Sequence, residues 1–167
     1  MNYDTIVTKG RVPWLPSAQA TGLDVLHAYN IPLAGTFDSG GKKILFLCVT
    51  GATSKSNVWV YKHLTPSELK KLESAEFDGP DDLETFAHAL FKGHQAALAY
   101  AVDGRISKWS TKVIRDSVLL SVVQFLEETL KASVDQHRRA AQARADVTKA
   151  ALEGTDLLEN DHSLIDA

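Results

Sequence analysis

The sequence predicts an α+β fold: a small antiparallel sheet of about three strands, followed by helices, the last of them long. Three stretches carry this expectation. Ile44–Val49 is the most continuous apolar run, and Val58–Leu64 alternates like a strand before running into a strongly marked helix start. Beyond Ser110 the chain keeps helical spacing and meets no proline before Gly154.

At 167 residues the chain suits one domain with a real core, and its 44% apolar and 23% charged residues are ordinary for a globular protein. No run of about eighteen apolar residues occurs, so no membrane span is expected. The start Met1-Asn2-Tyr3-Asp4 has no basic patch leading into an apolar stretch, so no secretory leader is expected. A single cysteine, Cys48, makes no internal disulfide and suits a reducing compartment. The expectation is a soluble, cytoplasmic protein.

Residues 1–21, with Pro13 and Pro16, read as an irregular lead-in whose Trp14 and Leu15 anchor against the core. Residues 23–29 read as either helix or strand. Ile31, Leu33 and Phe37 suggest a strand, placed late or at an edge by Pro32. Asp38-Ser39-Gly40-Gly41 is a tight turn joining it antiparallel to the Ile44–Thr50 strand, which is apolar on both faces and therefore central. Val58–Leu64 completes a three-stranded meander. Thr65-Pro66-Ser67-Glu68 is a capping box with proline at the first helical position, and Leu64 and Leu69 form the hydrophobic staple. A helix is expected from Pro66 to Ser74.

After Gly79-Pro80 the spacing of Leu83, Phe86, Ala87, Leu90 and Phe91 is helical, and the alanine-rich run 96–101 extends that helix from Asp82 to Val102. The competing reading ends the helix at Gly93 and makes a hairpin around Asp103-Gly104. The last helix is expected from Lys112 to Glu153. Its second half lacks large apolar residues between Asp135 and Asp146. The chain therefore divides into an α+β domain, 1–134, and a helical extension with an acidic tail, 135–167.

Charge is unevenly spread. Between Gly40 and Leu72 six lysines face Glu68 alone, residues 73–84 carry six acids and no base, and the tail carries Glu153, Asp156, Glu159, Asp161 and Asp166. Such blocks steer partners or simply solvate a surface. Alternation places Trp59, Tyr61 and His63 on one face of a strand, a candidate ligand surface that stacks a flat group beside a titratable ring. Half-coverage of that face by a helix explains the same pattern. Cys48 sits mid-strand without a local base and reads as an inert core thiol. The six histidines show no ligand spacing, and no phosphate loop or nucleophile elbow occurs, so neither a metal nor a cofactor is expected.

Lys42, Lys43, Lys62 and Lys108 are the candidate phosphate-contacting residues, and Arg105, Lys108, Trp109, Lys112 and Arg115 form a second basic segment. The net charge of −3 argues against a general nucleic-acid binder. The expected function is a protein–protein interaction or regulatory module, oligomeric through its long last helix, since no catalytic pattern leans the sequence towards an enzyme. The alternatives are a nucleic-acid-associated factor using the lysine-rich face, and a small ligand-binding protein or enzyme with a pocket at Trp59, Tyr61 and His63.

Overall fold

The computed structural model describes residues 3–50, 55–74, 80–135 and 147–152. Six strands form one antiparallel sheet in sequence order: β1 (Thr21–Tyr29), β2 (Ile31–Ser39), β3 (Lys42–Cys48), β4 (Ser56–Leu64), β5 (Gln95–Val102) and β6 (Arg105–Val113). Helices α1 (Pro66–Ser74) and α2 (Pro80–Phe91) fill the connection between β4 and β5, and α3 (Asp116–Asp135) follows β6.

The sheet is thus twice the expected size, and among the described residues no helix spans the predicted 112–153: α3 covers Asp116–Asp135. The larger sheet and the later start of the last helix both come from residues 94–113, where the hairpin reading is the right one. Gly93, at φ +75°, takes the left-handed position that stops α2. Asp103 (φ +51°) and Gly104 (φ +78°) then make the two-residue turn between β5 and β6. Alanine favours helices, but Ala97, Ala99 and Ala101 point alternately to one face of β5 and are buried there beside the aromatic core. Burial across the sheet overrides their intrinsic preference. Lys112 and Val113 belong to β6, so α3 starts only at Asp116. Continuation of a helix through 136–146 and the acidic tail of 153–167 lie outside the described residues.

The strand expected late or at an edge is neither: β2 starts at Ile31 and lies between β1 and β3, with Pro32 opposite Ala28 where the β1 register slips. Three local expectations hold. Gly40 and Gly41, both at positive φ, turn β2 into β3 between the paired Ser39 and Lys42. β3 is central, with Ile44 to Cys48 all buried. The Thr65 amide donates to Glu68 Oε1 (2.8 Å) while the Glu68 amide donates to Thr65 Oγ1 (3.2 Å), which is the reciprocal capping box.

The sheet has two covered faces. On one, Leu45, Leu47, Val60 and Leu64 pack with Leu72 of α1, Leu83, Leu90 and Phe91 of α2, and Val122 and Leu126 of α3. On the other, Phe37, Phe46, Trp59 and Tyr61 lie under the irregular segment 3–20, which contributes Tyr3, Ile6, Val12, Trp14 and Leu15. Gly35 makes room in this aromatic layer: a Cβ there would collide with the Asp24 carbonyl and lie 2.9 Å from the Phe46 ring.

The two edges of the meander are treated differently. Along β1 the register slips three times. The short helical stretch 147–152 docks there too: the Val25 amide donates to Thr148 Oγ1 (3.1 Å), and Ala151 is buried in the aromatic-side core. At the other edge, the N-terminal segment brackets only the start of β6. Gly10 donates to the Ile106 carbonyl (2.7 Å) and the Ile106 amide donates to that of Arg11 (2.9 Å).

Candidate functional site

Trp59 and Tyr61 share a face as expected, but the chain's own N-terminal segment fills the space above them. Both are fully buried. The Tyr61 hydroxyl donates to the Pro13 carbonyl (2.6 Å), the Trp59 indole donates to Asn57 Oδ1 (2.6 Å), and Trp14 lies tilted against Trp59 with ring centroids 6.5 Å apart. Burial pushes the Tyr61 phenol well above its ordinary range, so it stays a neutral donor. His63 stands half-buried at the end of this row, its amide donating to the Tyr3 hydroxyl (3.1 Å). Burial, with Lys42 and Lys62 nearby, holds its imidazole below the usual value. The three residues are therefore joined by packing, and a flat ligand would have to displace segment 3–20 to reach the two aromatic rings.

The four lysines do not converge. Lys43 is paired with Asp38 (2.8 Å), and Lys62 is buried, its ammonium donating to the His63 carbonyl (2.7 Å). Burial lowers the Lys62 pKa, with Glu68 opposing. Lys42 and Lys43 lie at the strand end that pairs with Leu64, whereas Lys108 pairs with Tyr100 and so lies level with Val58. Six residues along and three strands across, the separation of Lys43 and Lys108 is roughly 25 Å. Cys48 is buried in the aromatic-side core. Among the described residues no three His, Cys, Asp or Glu side chains are grouped to hold a metal ion, and no helix is long and apolar enough to cross a membrane. A shallow cleft of about 300 Å³ between the end of β3 and α3 is lined by Val49, Thr50, Ser121, Gln124, Phe125 and Glu128, one carboxylate among hydroxyls and an amide.

What the fold does present is β6. From Ser107 to Val113 every residue is exposed except Trp109, which is half-buried, and no described element pairs with its outer side. Its two faces differ. Trp109 and Thr111 pair with Ala99 and Ala97 on the aromatic side, and Val113 follows them. Lys108, Ser110 and Lys112 pair with Tyr100, Leu98 and Ala96 on the helix side, and the Lys108 ammonium sits 5.5 Å from the centre of the Tyr100 ring. Backbone direction follows from Ile114, whose amide bonds inward to the His94 carbonyl. An antiparallel ladder alternates, so Trp109, Thr111 and Val113 direct their N–H and C=O groups outward. The sequence flagged Lys108, Trp109, Lys112 and Arg115 as a basic segment, but not Ser110, Thr111 or Val113. Their signal was the alternation of Trp109, Thr111 and Val113 after an Asp-Gly turn.

No family model matches the chain, and no curated protein and no solved structure shows a significant match to it.

Proposed function

We propose that this protein is a protein-binding module that accepts an extended segment of another polypeptide as a seventh strand along β6. The observation that carries the reading is the open stretch Ser107–Val113, exposed and lying just past Ile106, where the N-terminal segment bonds the same edge. Strand addition draws affinity from main-chain hydrogen bonds, and Trp109, Thr111 and Val113 offer them outward. This replaces the long last helix as the route to association.

A second copy is the poorer occupant. Pairing β6 with itself about Ser110 sets Lys108 opposite Lys112 twice, and pairing about Thr111 brings the same lysines to diagonal positions about 7–8 Å apart. Edge lysines blunt self-pairing of a sheet, and they leave the same edge open to a strand of opposite charge.

Amide hydrogen exchange against a panel of short strand-forming peptides of differing charge tests the reading. At least one peptide is expected to protect the amides of Trp109, Thr111 and Val113. Thr111→Pro, which removes an outward N–H and spares the β5 ladder, is expected to abolish that protection with the fold retained. Protection confined to other elements, or none across the panel, would refute the reading.

A further inference from the structure

Resting on strand addition at β6, we infer that the partner segment carries two carboxylates four residues apart, with β-branched or apolar residues at the positions facing Trp109 and Val113. Between Gly104 and Asp116 the chain has Arg105, Lys108, Lys112 and Arg115 and no acid. Lys108 and Lys112 are both exposed and stand on the same face. Because β6 turns its outward hydrogen bonds at Trp109, Thr111 and Val113, the lysines fall at the non-hydrogen-bonded positions when the partner strand adds antiparallel. There the facing Cα atoms approach to about 4.5 Å, the closer of the two spacings. A residue opposite Lys112 and another opposite Lys108 are separated by four along the partner. The residue between them faces Ser110 and suits a small hydroxyl. On the other face, the partner's residues meet the half-buried Trp109 and the exposed Val113, which calls for apolar or β-branched side chains.

The pattern also distinguishes the partner from this chain's own tail. The acids there stand at 153, 156, 159, 161 and 166, and no two are four apart. Residues 153–167 therefore do not supply the pattern.

Three synthetic strand-forming peptides decide the matter, identical except for charge: acids four apart, the same acids moved to three apart, and lysines in place of the acids. Binding is read by titration at low and high salt, and seating by exchange at Trp109, Thr111 and Val113. The first peptide is expected to bind on the order of tenfold tighter than the lysine version at low salt, with the gap closing as salt screens the pairs. Moving the acids to three apart throws them onto opposite faces and removes the advantage. Lys108→Gln with Lys112→Gln, both surface changes, is expected to level the three. If all three peptides protect the β6 amides with equal affinity, the charge pattern is wrong and strand addition stands. If none protects them, strand addition itself falls.

Discussion

Tyr61→Phe probes the bond between the N-terminal segment and the sheet. The Tyr61 ring is fully buried and edge-on to Phe37, centroids 6.3 Å apart, and its hydroxyl donates to a carbonyl 48 residues away in segment 3–20. Phenylalanine keeps the ring and its contacts. It leaves the Pro13 carbonyl without that donor, in a place from which water is excluded, since Pro13 itself is buried. Stranding a buried acceptor costs about 1–3 kcal/mol, whereas the cavity left by one oxygen is small. Against a total stability of roughly 5–15 kcal/mol that is a large fraction, and at about 2–4 °C per kcal/mol it lowers the melting temperature by several degrees. Urea unfolding followed by tryptophan fluorescence is the assay, because Trp14 and Trp59 report on both partners of the contact. The expected result is a lower midpoint with an unchanged slope, the segment and the sheet unfolding together. A loss below about 0.5 kcal/mol, or a separate early transition of the segment, would refute the reasoning.

Three further outcomes follow from the packing. Gly35→Ala places a methyl against the Asp24 carbonyl and the Phe46 ring, so a loss of roughly 1–3 kcal/mol is expected in the same unfolding assay. Thr148→Val removes the acceptor of the Val25 amide, and faster exchange at that amide is expected, with a loss of about 1 kcal/mol. His27 and His63 are both held below their ordinary pKa, His27 chiefly by burial with Glu128 opposing, and His63 chiefly by burial with Lys42 and Lys62 adding to it. Each binds its proton more readily when unfolded, so stability rises with pH through the window below about 6.5 and falls as the medium is acidified. Melting curves of His63→Gln between about pH 7.5 and about pH 5 are expected to fall less steeply than those of the parent protein.

Local signals with their own geometry were legible in the sequence. The Gly40-Gly41 turn, the box at Thr65 and Glu68, and the central strand from Ile44 each follow from a few neighbouring residues. Residues 94–113 were harder, because alanine spacing and helix preference argued one way while the Asp103-Gly104 turn argued the other. Only the tertiary setting, a flat row of alanines buried beside Trp59 and Tyr61, decides between them. The candidate ligand face was legible as a face, but its covering was not. Trp14 and Leu15 read as anchors, yet nothing local says that Trp14 settles against Trp59. The lysines illustrate the same limit: closeness in sequence put Lys43 and Lys62 in one group, and the sheet then tied one to Asp38 and buried the other.

Strand addition depends on the outer side of β6 from Ser107 to Val113 being open. Exchange rates of the Trp109, Thr111 and Val113 amides, measured with and without the peptide whose acids stand four apart, test it most directly. Slowing at these three amides, lost in Thr111→Pro, is the predicted result. Unchanged rates at saturating peptide, or slowing centred on α3 or on segment 3–20, would contradict it.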